Sequence, residues 1–180
     1  YKRLVREVGA CLIGQTATLA PADKKLYALR DVTATVDCIP LIASSIMSKK
    51  MAEGIHALVL DVNVGSGAFM KTLDDGRVLA KTMISIGEQL GKKVRALLTD
   101  MDQPLGNTVG NALEVIEAVE MLQGRAPADY TELTLALTAE MLVLGQKAKN
   151  VEDARAQLKR VIDDGSAVKK LQEIVAAQGG

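Results

Sequence analysis

Three polar side chains in the first third of the chain could recognise a flat ring. Ser45 and Lys49 are four residues apart, so their side chains share one face of any helix that contains them. Arg30 lies upstream, just after Tyr27. A uracil or thymine ring presents two carbonyl oxygens on either side of one N–H, and cationic donors with a hydroxyl match that pattern. The same spacing is typical of a solvated helix face on which the arginine pairs with an acid, so both interpretations stay open.

A second group of residues could bind a cation. Pro104, Gly106 and Gly110 bend the backbone of one segment. Glu114 follows in the same segment, nine residues after Leu105. A carboxylate together with free backbone carbonyl oxygens suits a hard cation, so this segment is a candidate cation site.

Other motifs indicate structural roles. Gly65 and Gly67 follow an apolar run, as in a dinucleotide-binding loop, but Met70 stands where the third glycine belongs. We therefore predict a tight turn, and no Gly-Lys-Ser/Thr follows to make a phosphate loop. His56 is the single histidine and has no partners arranged as a catalytic triad, so we expect it at the surface. Acidic residues occur singly or on helix faces with lysine and arginine partners, which gives a paired-carboxylate glycosidase site no particular support.

Charge and composition exclude several classes of protein. The 22 basic and 22 acidic side chains cancel and only 2% of residues are aromatic, so we expect neither nucleic acid nor a membrane surface as partner. Cys11 and Cys38 lack the spacing of a zinc site or a disulfide framework, so a cytoplasmic location is expected. No apolar run reaches the roughly 20 residues that span a bilayer.

The elements around the ring-recognising side chains are predicted to be helical. Apolar residues at positions 1, 4, 5 and 8 predict a helix already under way at Tyr1, so we expect the chain to be part of a longer one. Residues 10–14 predict either a buried strand or the end of that helix. Asp23 is the predicted N-cap of a helix over 24–31, and another helix is predicted over 41–52.

Two apolar, β-branched runs predict a parallel crossover. Residues 57–64 and 93–100 have strand length, and an amphipathic helix over 74–90 separates them. Such a succession forms a right-handed β–α–β unit. Further helices are predicted over 111–122, 130–144, 151–163 and 167–177. The predicted fold is α/β, with a mostly parallel sheet flanked by helices.

The segments Leu26–Val36 and Ile39–Lys50 together resemble the signature region of pyrimidine-nucleoside and thymidine phosphorylases. The similarity covers nearly the whole chain. Further similar segments are 60–62, 64–70, 99–101, 110–115 and 176–180. Ser44–Met47 and Gln103–Gly106 are similar to the broad-specificity pyrimidine branch of the family, so we expect that branch rather than strict thymidine specificity.

The resemblance implies a pyrimidine site built on the side chains described first. Arg30, Ser45 and Lys49 would bind the base, with Arg30 and Lys49 as the catalytic residues. The residues implied as the surround of the ring are Tyr27, Val36, Ile42 and Phe69.

The resemblance also implies a monovalent cation, potassium, at the bent segment. Its ligands would be the carbonyl oxygens of Leu105 and Thr108 and the carboxylate of Glu114. Thr108 replaces a smaller residue of the family, an exchange that a carbonyl ligand tolerates. Asn63 is a sharper departure, because the family usually has lysine there, and any role of that position that needs a charge is put in doubt.

The family fold would divide the chain into parts of two domains. Residues 1–19 would be a helix and strand of the α/β domain, residues 20–54 the base-binding part of a small α domain, and residues 55–180 the central part of the α/β domain. The implied reaction converts a pyrimidine nucleoside and phosphate to the free base and a (deoxy)ribose 1-phosphate. The resemblance implies no organic cofactor, and it implies a homodimer for the full-length enzyme.

Several alternatives remain from the sequence. The chain could belong to a strict thymidine phosphorylase, or to the related group of nucleotide phosphorylases and anthranilate phosphoribosyltransferases. It could also be a scaffold without binding activity of its own. The family's phosphate-binding residues lie upstream of the segment that Tyr1 begins, so we expect these 180 residues alone to be inactive.

Overall fold

The computed structural model describes residues 1–14, 16 and 18–180. These residues form eight helices and two strands. In chain order they are α1 (Lys2–Glu7), α2 (Pro21–Thr33), α3 (Ile39–Ala52), β1 (Ala57–Val64), α4 (Leu73–Gln89), β2 (Lys93–Asp100), α5 (Asn111–Leu122), α6 (Ala128–Leu144), α7 (Val151–Asp163) and α8 (Ser166–Ala177). The predicted α/β class is confirmed.

A β–α–β unit lies at the centre of the fold. The strands β1 and β2 pair in parallel along their whole length, with Ala57 opposite Lys93 and Val64 opposite Asp100. The helix α4 makes the crossover between them, as parallel strands require. Its start is fixed by Thr72, whose hydroxyl accepts a hydrogen bond from the backbone N–H of Asp75 at 3.2 Å.

Helices cover both faces of the strand pair. Side chains of successive residues in a strand point to opposite faces. Val94 of β2 packs against Gly87 of α4, whereas the next residue, Arg95, forms an ion pair with Glu140 of α6. The prediction of a parallel sheet between helices is therefore confirmed for these two strands.

The core lies between α3, α4 and the inner face of β1. Met47 of α3 and Met83 of α4 are the largest fully buried side chains of the described residues. Leu60, Val62 and Val64 of β1 alternate with exposed residues and join the same cluster. This packing places α3, and with it the polar side chains of that helix, next to the carboxyl end of β1.

Two local predictions are wrong. Asp23 is not an N-cap, because α2 begins at Pro21 and the carboxylate of Asp23 pairs with another helix. Residues 10–14 form neither strand nor helix. The physical reason is a long-range contact: the side-chain amide of Gln178 accepts from the N–H of Leu12 at 2.9 Å and donates to its carbonyl at 2.7 Å, so a side chain replaces a strand partner.

After β2, α6 packs on the sheet and the other helices pack on helices. The helix α6 contacts both strands, α7 packs on α6, and α8 contacts α7 and α5. Asn150 starts α7 by accepting a hydrogen bond from the backbone N–H of Asp153 at 2.8 Å. Among the helices that the structure describes, none is both long and apolar enough to cross a membrane.

We predict that Gly87→Ala destabilises the protein. A Cβ at Gly87 would overlap Cγ2 of Val94, so α4 and β2 would be forced apart, at a cost of about 1–3 kcal/mol in the free energy of unfolding. Urea unfolding would measure the loss. The additional change Val94→Ala should recover part of it, and Ser85→Ala, at an exposed site of the same helix, is the control. Unchanged stability of Gly87→Ala would contradict the close packing described here.

Candidate functional site

The helices α2 and α3 bring the predicted ring-recognising side chains together. Ser45 and Lys49 do share a face of α3, and the Lys49 ammonium donates to the Ser45 hydroxyl oxygen at 2.9 Å. Ser45 is buried, and the Lys49 side chain is 25% exposed. Arg30 and Tyr27 lie on α2 beside them. The predicted proximity of these four side chains is therefore observed.

A carboxylate that the sequence analysis did not include completes this cluster. Asp23 is only 8% exposed, and its Oδ2 accepts from the Lys49 ammonium at 2.8 Å. Burial raises the pKa of Asp23, but hydrogen bonds with Lys49 and Ser45 and the charges of Lys49 and Arg30 outweigh burial, so the pKa lies below its ordinary value. A signal was present: Asp23, Tyr27 and Arg30 follow the i, i+4, i+7 spacing of one helix face.

Arg30 binds the turn between the two helices. Its Nε donates to the carbonyl of Thr35 at 3.3 Å, one terminal nitrogen donates to the carbonyl of Leu41 at 3.3 Å, and the other donates to the carbonyl of Val36. The interpretation in which this arginine pairs with an acid does not hold for the described residues. A guanidinium has five N–H donors, so two of them remain for a ligand.

Tyr27 supports both cations with one ring. The guanidinium carbon of Arg30 lies 4.9 Å from the ring centroid, and the Lys49 ammonium lies 5.9 Å from it. Both distances are within the range of cation–π attraction. Tyr27 itself is 40% exposed, so the ring is also open to a ligand.

The predicted apolar surround is only partly assembled next to these polar side chains. Ile42 and Phe69 line one cavity of about 430 Å³ at the carboxyl end of β1. Ile42 precedes Ser45 by three residues on α3, so it connects the cavity to the polar cluster. Phe69 is 58% exposed, and Val36 meets Arg30 through its carbonyl oxygen.

Asn63, where the resemblance leads us to expect lysine, also lines this cavity. Its side-chain amide donates to the Thr99 hydroxyl at 2.9 Å, and that hydroxyl donates to Asp61 at 2.5 Å. Hydrogen bonds across the two strands thus occupy the position without a cation. A lysine ammonium would bring a charge to the same wall.

The glycine turn after β1 is held against the loop after β2. The Ser66 N–H donates to Asp102 at 2.7 Å, and the Gly67 N–H donates to the carbonyl of Met101 at 2.9 Å. A Cβ at Gly65 would lie 2.8 Å from the backbone nitrogen of Asp102, so only glycine fits. The predicted tight turn is confirmed, and hydrogen bonds from Ser66 lower the pKa of Asp102.

The three predicted cation ligands line one cavity. Leu105, Thr108 and Glu114 share a space of about 560 Å³ with the loop after β2. Within the described residues, neither the Leu105 nor the Thr108 carbonyl accepts a backbone hydrogen bond. Glu114 lies in the first turn of α5 and accepts from the Gly110 N–H at 3.0 Å. Two backbone carbonyls and a carboxylate are a donor set that fits a hard cation. Of the two Glu114 oxygens, the one that does not accept from Gly110 is the freer ligand.

Glu117 shapes the same loop and was missed by the sequence analysis. It is 4% exposed and accepts hydrogen bonds from the Thr108 hydroxyl at 2.6 Å and the Asn107 N–H at 2.8 Å. These bonds lower its pKa. Gly106 has φ +70° and passes so close that a Cβ there would lie 2.7 Å from the carboxylate. The path of the loop, which periodicity does not reveal, creates this contact.

The described residues show little support for other sites. No group of three or more His, Cys, Asp or Glu side chains in this part of the chain could hold a metal ion. His56 is exposed, as predicted.

Comparison with known families assigns the chain to one of them. Residues 1–168 match the family model described as glycosyl transferase family, a/b domain. The chain belongs to this family. The strand pair, its crossover helix and the polar cluster of α2 and α3 all lie within the matched residues.

This glycosyl transferase family member is similar to pyrimidine-nucleoside phosphorylases of Staphylococcus aureus. The proteins of strains bovine RF122 / ET3-1 and USA300 are each 53% identical to it over 180 residues. That alignment covers 100% of this chain and 42% of each relative. The chain therefore spans less than half the length of these relatives.

We predict that Glu117→Gln destabilises the protein only where the carboxylate is ionised. A group whose folded-state pKa lies below its ordinary 4.5 stabilises the fold above that value, and the contribution is lost as the pH falls through the lowered pKa. Urea unfolding should therefore separate variant and parent at neutral pH and bring them together in acid. Glu88→Gln, at an exposed site, should match the parent throughout. A difference that stays constant with pH would contradict the role of ionised Glu117.

Proposed function

We propose that this chain is the base-binding part of a pyrimidine-nucleoside phosphorylase, a pentosyltransferase of nucleoside salvage. The observation that carries the proposal is the convergence of Arg30, Ser45 and Lys49 between α2 and α3. The 53% identity to proteins named pyrimidine-nucleoside phosphorylase supports the same assignment. Pyrimidine nucleoside and phosphate are the proposed substrates.

The free hydrogen-bonding groups of the cluster match a pyrimidine ring. An ammonium has three donors, and two of those on Lys49 are taken by Asp23 and Ser45. One donor on Lys49 and two on Arg30 remain for the ring carbonyl oxygens. Ser45 accepts from Lys49, and a hydrogen bond with Ser45 helps to lower the pKa of Asp23, so the second lone pair of the Ser45 oxygen is the group left to accept the ring N–H.

These groups suit the chemistry of phosphorolysis. A phosphate oxygen forms a bond to the anomeric carbon, the glycosidic C–N bond breaks with inversion, and its electron pair passes to the base. Negative charge then grows on the pyrimidine carbonyl oxygens. Donors from Arg30 and Lys49 stabilise that charge more than the neutral ring of the substrate, which lowers the barrier.

Ring specificity is a finer proposal. We favour the broad-specificity pyrimidine enzyme over a strict thymidine phosphorylase because the Staphylococcus aureus relatives carry the broader name. A scaffold role for Arg30 is the alternative with structural support, since three of its donors bind backbone carbonyls of residues 35–41.

We predict that Lys49→Ala and Arg30→Ala, made in the complete enzyme, each lower kcat for uridine phosphorolysis on the order of a hundredfold, as loss of an oxyanion donor does. Steady-state kinetics with uridine and thymidine would measure the loss. Lys81→Ala, at an exposed site of α4, is the control and should leave kcat unchanged. Turnover near that of the parent in Lys49→Ala would contradict the proposed function. For Arg30→Ala, a lowered melting temperature with normal kcat would support the scaffold role instead.

We also propose potassium at the cavity of Leu105, Thr108 and Glu114. None of the described residues lining it is basic, whereas Asp102, Glu114 and Glu117 contribute carboxylates. Burial, with the charges of Glu117 and Glu114, raises the pKa of Tyr130 in the same wall. Bound potassium would tie the loop after β2 to α5 and would supply no chemistry to the base.

We predict that potassium raises the melting temperature of the complete enzyme, because a ligand that binds only the folded state stabilises it. The comparison is KCl against tetramethylammonium chloride at equal ionic strength. Glu114→Gln should remove most of the difference, and Glu88→Gln should keep it. Equal melting temperatures of the parent in the two salts would contradict the site.

The oligomeric state and the location of the complete enzyme belong to the same proposal. A homodimer and a cytoplasmic location are expected from the resemblance and from the cysteine usage. The balanced charge argues against nucleic acid as a partner.

A further inference from the structure

We propose that Asp23 is a positioning residue, which acts on the base through Lys49. Its carboxylate fixes the direction in which the Lys49 ammonium offers its remaining donor. The inference rests on the proposed function, because it assigns the base to that donor. It concerns a residue of α2 that the ring-recognition pattern did not include.

The geometry fixes the direction of the third N–H of Lys49. Four single bonds let a lysine side chain take many conformations, so an ammonium without partners is poorly oriented. Here the Lys49 ammonium donates to the carboxylate of Asp23 on α2 at 2.8 Å and to the hydroxyl oxygen of Ser45 on α3 at 2.9 Å. Two of three tetrahedral donors are thus fixed by two different helices, and the third direction follows from them.

Charge also requires a partner at this place. Arg30 and Lys49 both lie within 6 Å of the Tyr27 ring centroid, so two like charges are held near each other. The carboxylate of Asp23, which is only 8% exposed, is hydrogen-bonded to Lys49 and is affected by the charge of Arg30 as well. Without Asp23, the two cations would repel each other. Lys49, whose side chain is 25% exposed, would then turn towards water.

The same contact sets the role of Ser45. Because Lys49 donates to the Ser45 oxygen, the hydroxyl proton of Ser45 cannot point back at Lys49. The Asp23 carboxylate is the neighbouring acceptor, since a hydrogen bond with Ser45 helps to lower the pKa of Asp23. Hydrogen bonds thus join Asp23, Lys49 and Ser45, and the second lone pair of the Ser45 oxygen is left for the ring N–H. Loss of Asp23 releases the other two side chains.

A double-mutant cycle in the complete enzyme tests this inference. Asp23→Asn keeps the shape of the side chain and removes its charge. We expect it to lower kcat about tenfold to a hundredfold when Lys49 is present, as loss of an outer partner of a functional group does. In a Lys49→Ala background the same change should lower kcat less than about twofold, because Asp23 has nothing left to position. Equal losses in both backgrounds would overturn the proposal in favour of a structural role.

The controls separate this inference from the proposed function. Asp163→Asn breaks an exposed ion pair of similar length, 2.7 Å to Lys159, and should leave kcat unchanged. If Lys49→Ala itself turns over normally, the proposed function fails; if only Asp23→Asn does so, this inference alone fails. Should Asp23→Asn not fold, Asp23→Glu enters the same cycle, since it keeps the charge and displaces it by one methylene. Additive effects of Asp23→Glu and Lys49→Ala would again overturn the proposal.

Discussion

Two positive side chains held against one tyrosine ring are the constraint around which α2 and α3 are arranged. Arg30 and Lys49 come from different helices, and each is withdrawn from water far enough that its charge must be answered locally. Backbone carbonyls between the two helices and at the start of α3 accept hydrogen bonds from Arg30, and the carboxylate of Asp23 forms an ion pair with Lys49. The turn, the helix pair and the polar cluster therefore form together, because none of them satisfies its charges or its hydrogen bonds alone.

The carboxyl ends of the two parallel strands supply the second organised region. Loops that follow parallel strands meet at one edge of the sheet, which is where ligands bind in α/β proteins. Gly67 and Met101 belong to these two loops, and both residues line the Phe69 cavity as well as the cavity of Glu114. The backbone hydrogen bond between them at 2.9 Å is thus a shared wall. The two backbones approach so closely that a Cβ at Gly67 would lie 2.7 Å from the carbonyl oxygen of Met101, so glycine is required in this wall.

Sequence reasoning succeeded where the interaction is local. The contact of Ser45 with Lys49 follows from helical spacing, and the strand and helix runs follow from hydrophobic periodicity. It failed where a side chain meets a partner whose position depends on the path of a loop. The carbonyl partners of Arg30 and the contacts of Glu117 are of that kind. Asp23 lies between the two cases, because its helix face was visible in the sequence although its partner, 26 residues away, was not.

The pair of hydrogen bonds between Leu12 and Gln178 has a consequence for the order of folding. It joins residues 166 positions apart, and the Lys170 ammonium adds a nearby bond to the carbonyl of Val8 at 3.2 Å. Closing so long a loop costs chain entropy that a few exposed hydrogen bonds, each worth about 1 kcal/mol, do not repay by themselves. This contact therefore forms after the core has brought its two sides together. In native-state hydrogen exchange we expect the Leu12 N–H to be among the first amides to exchange.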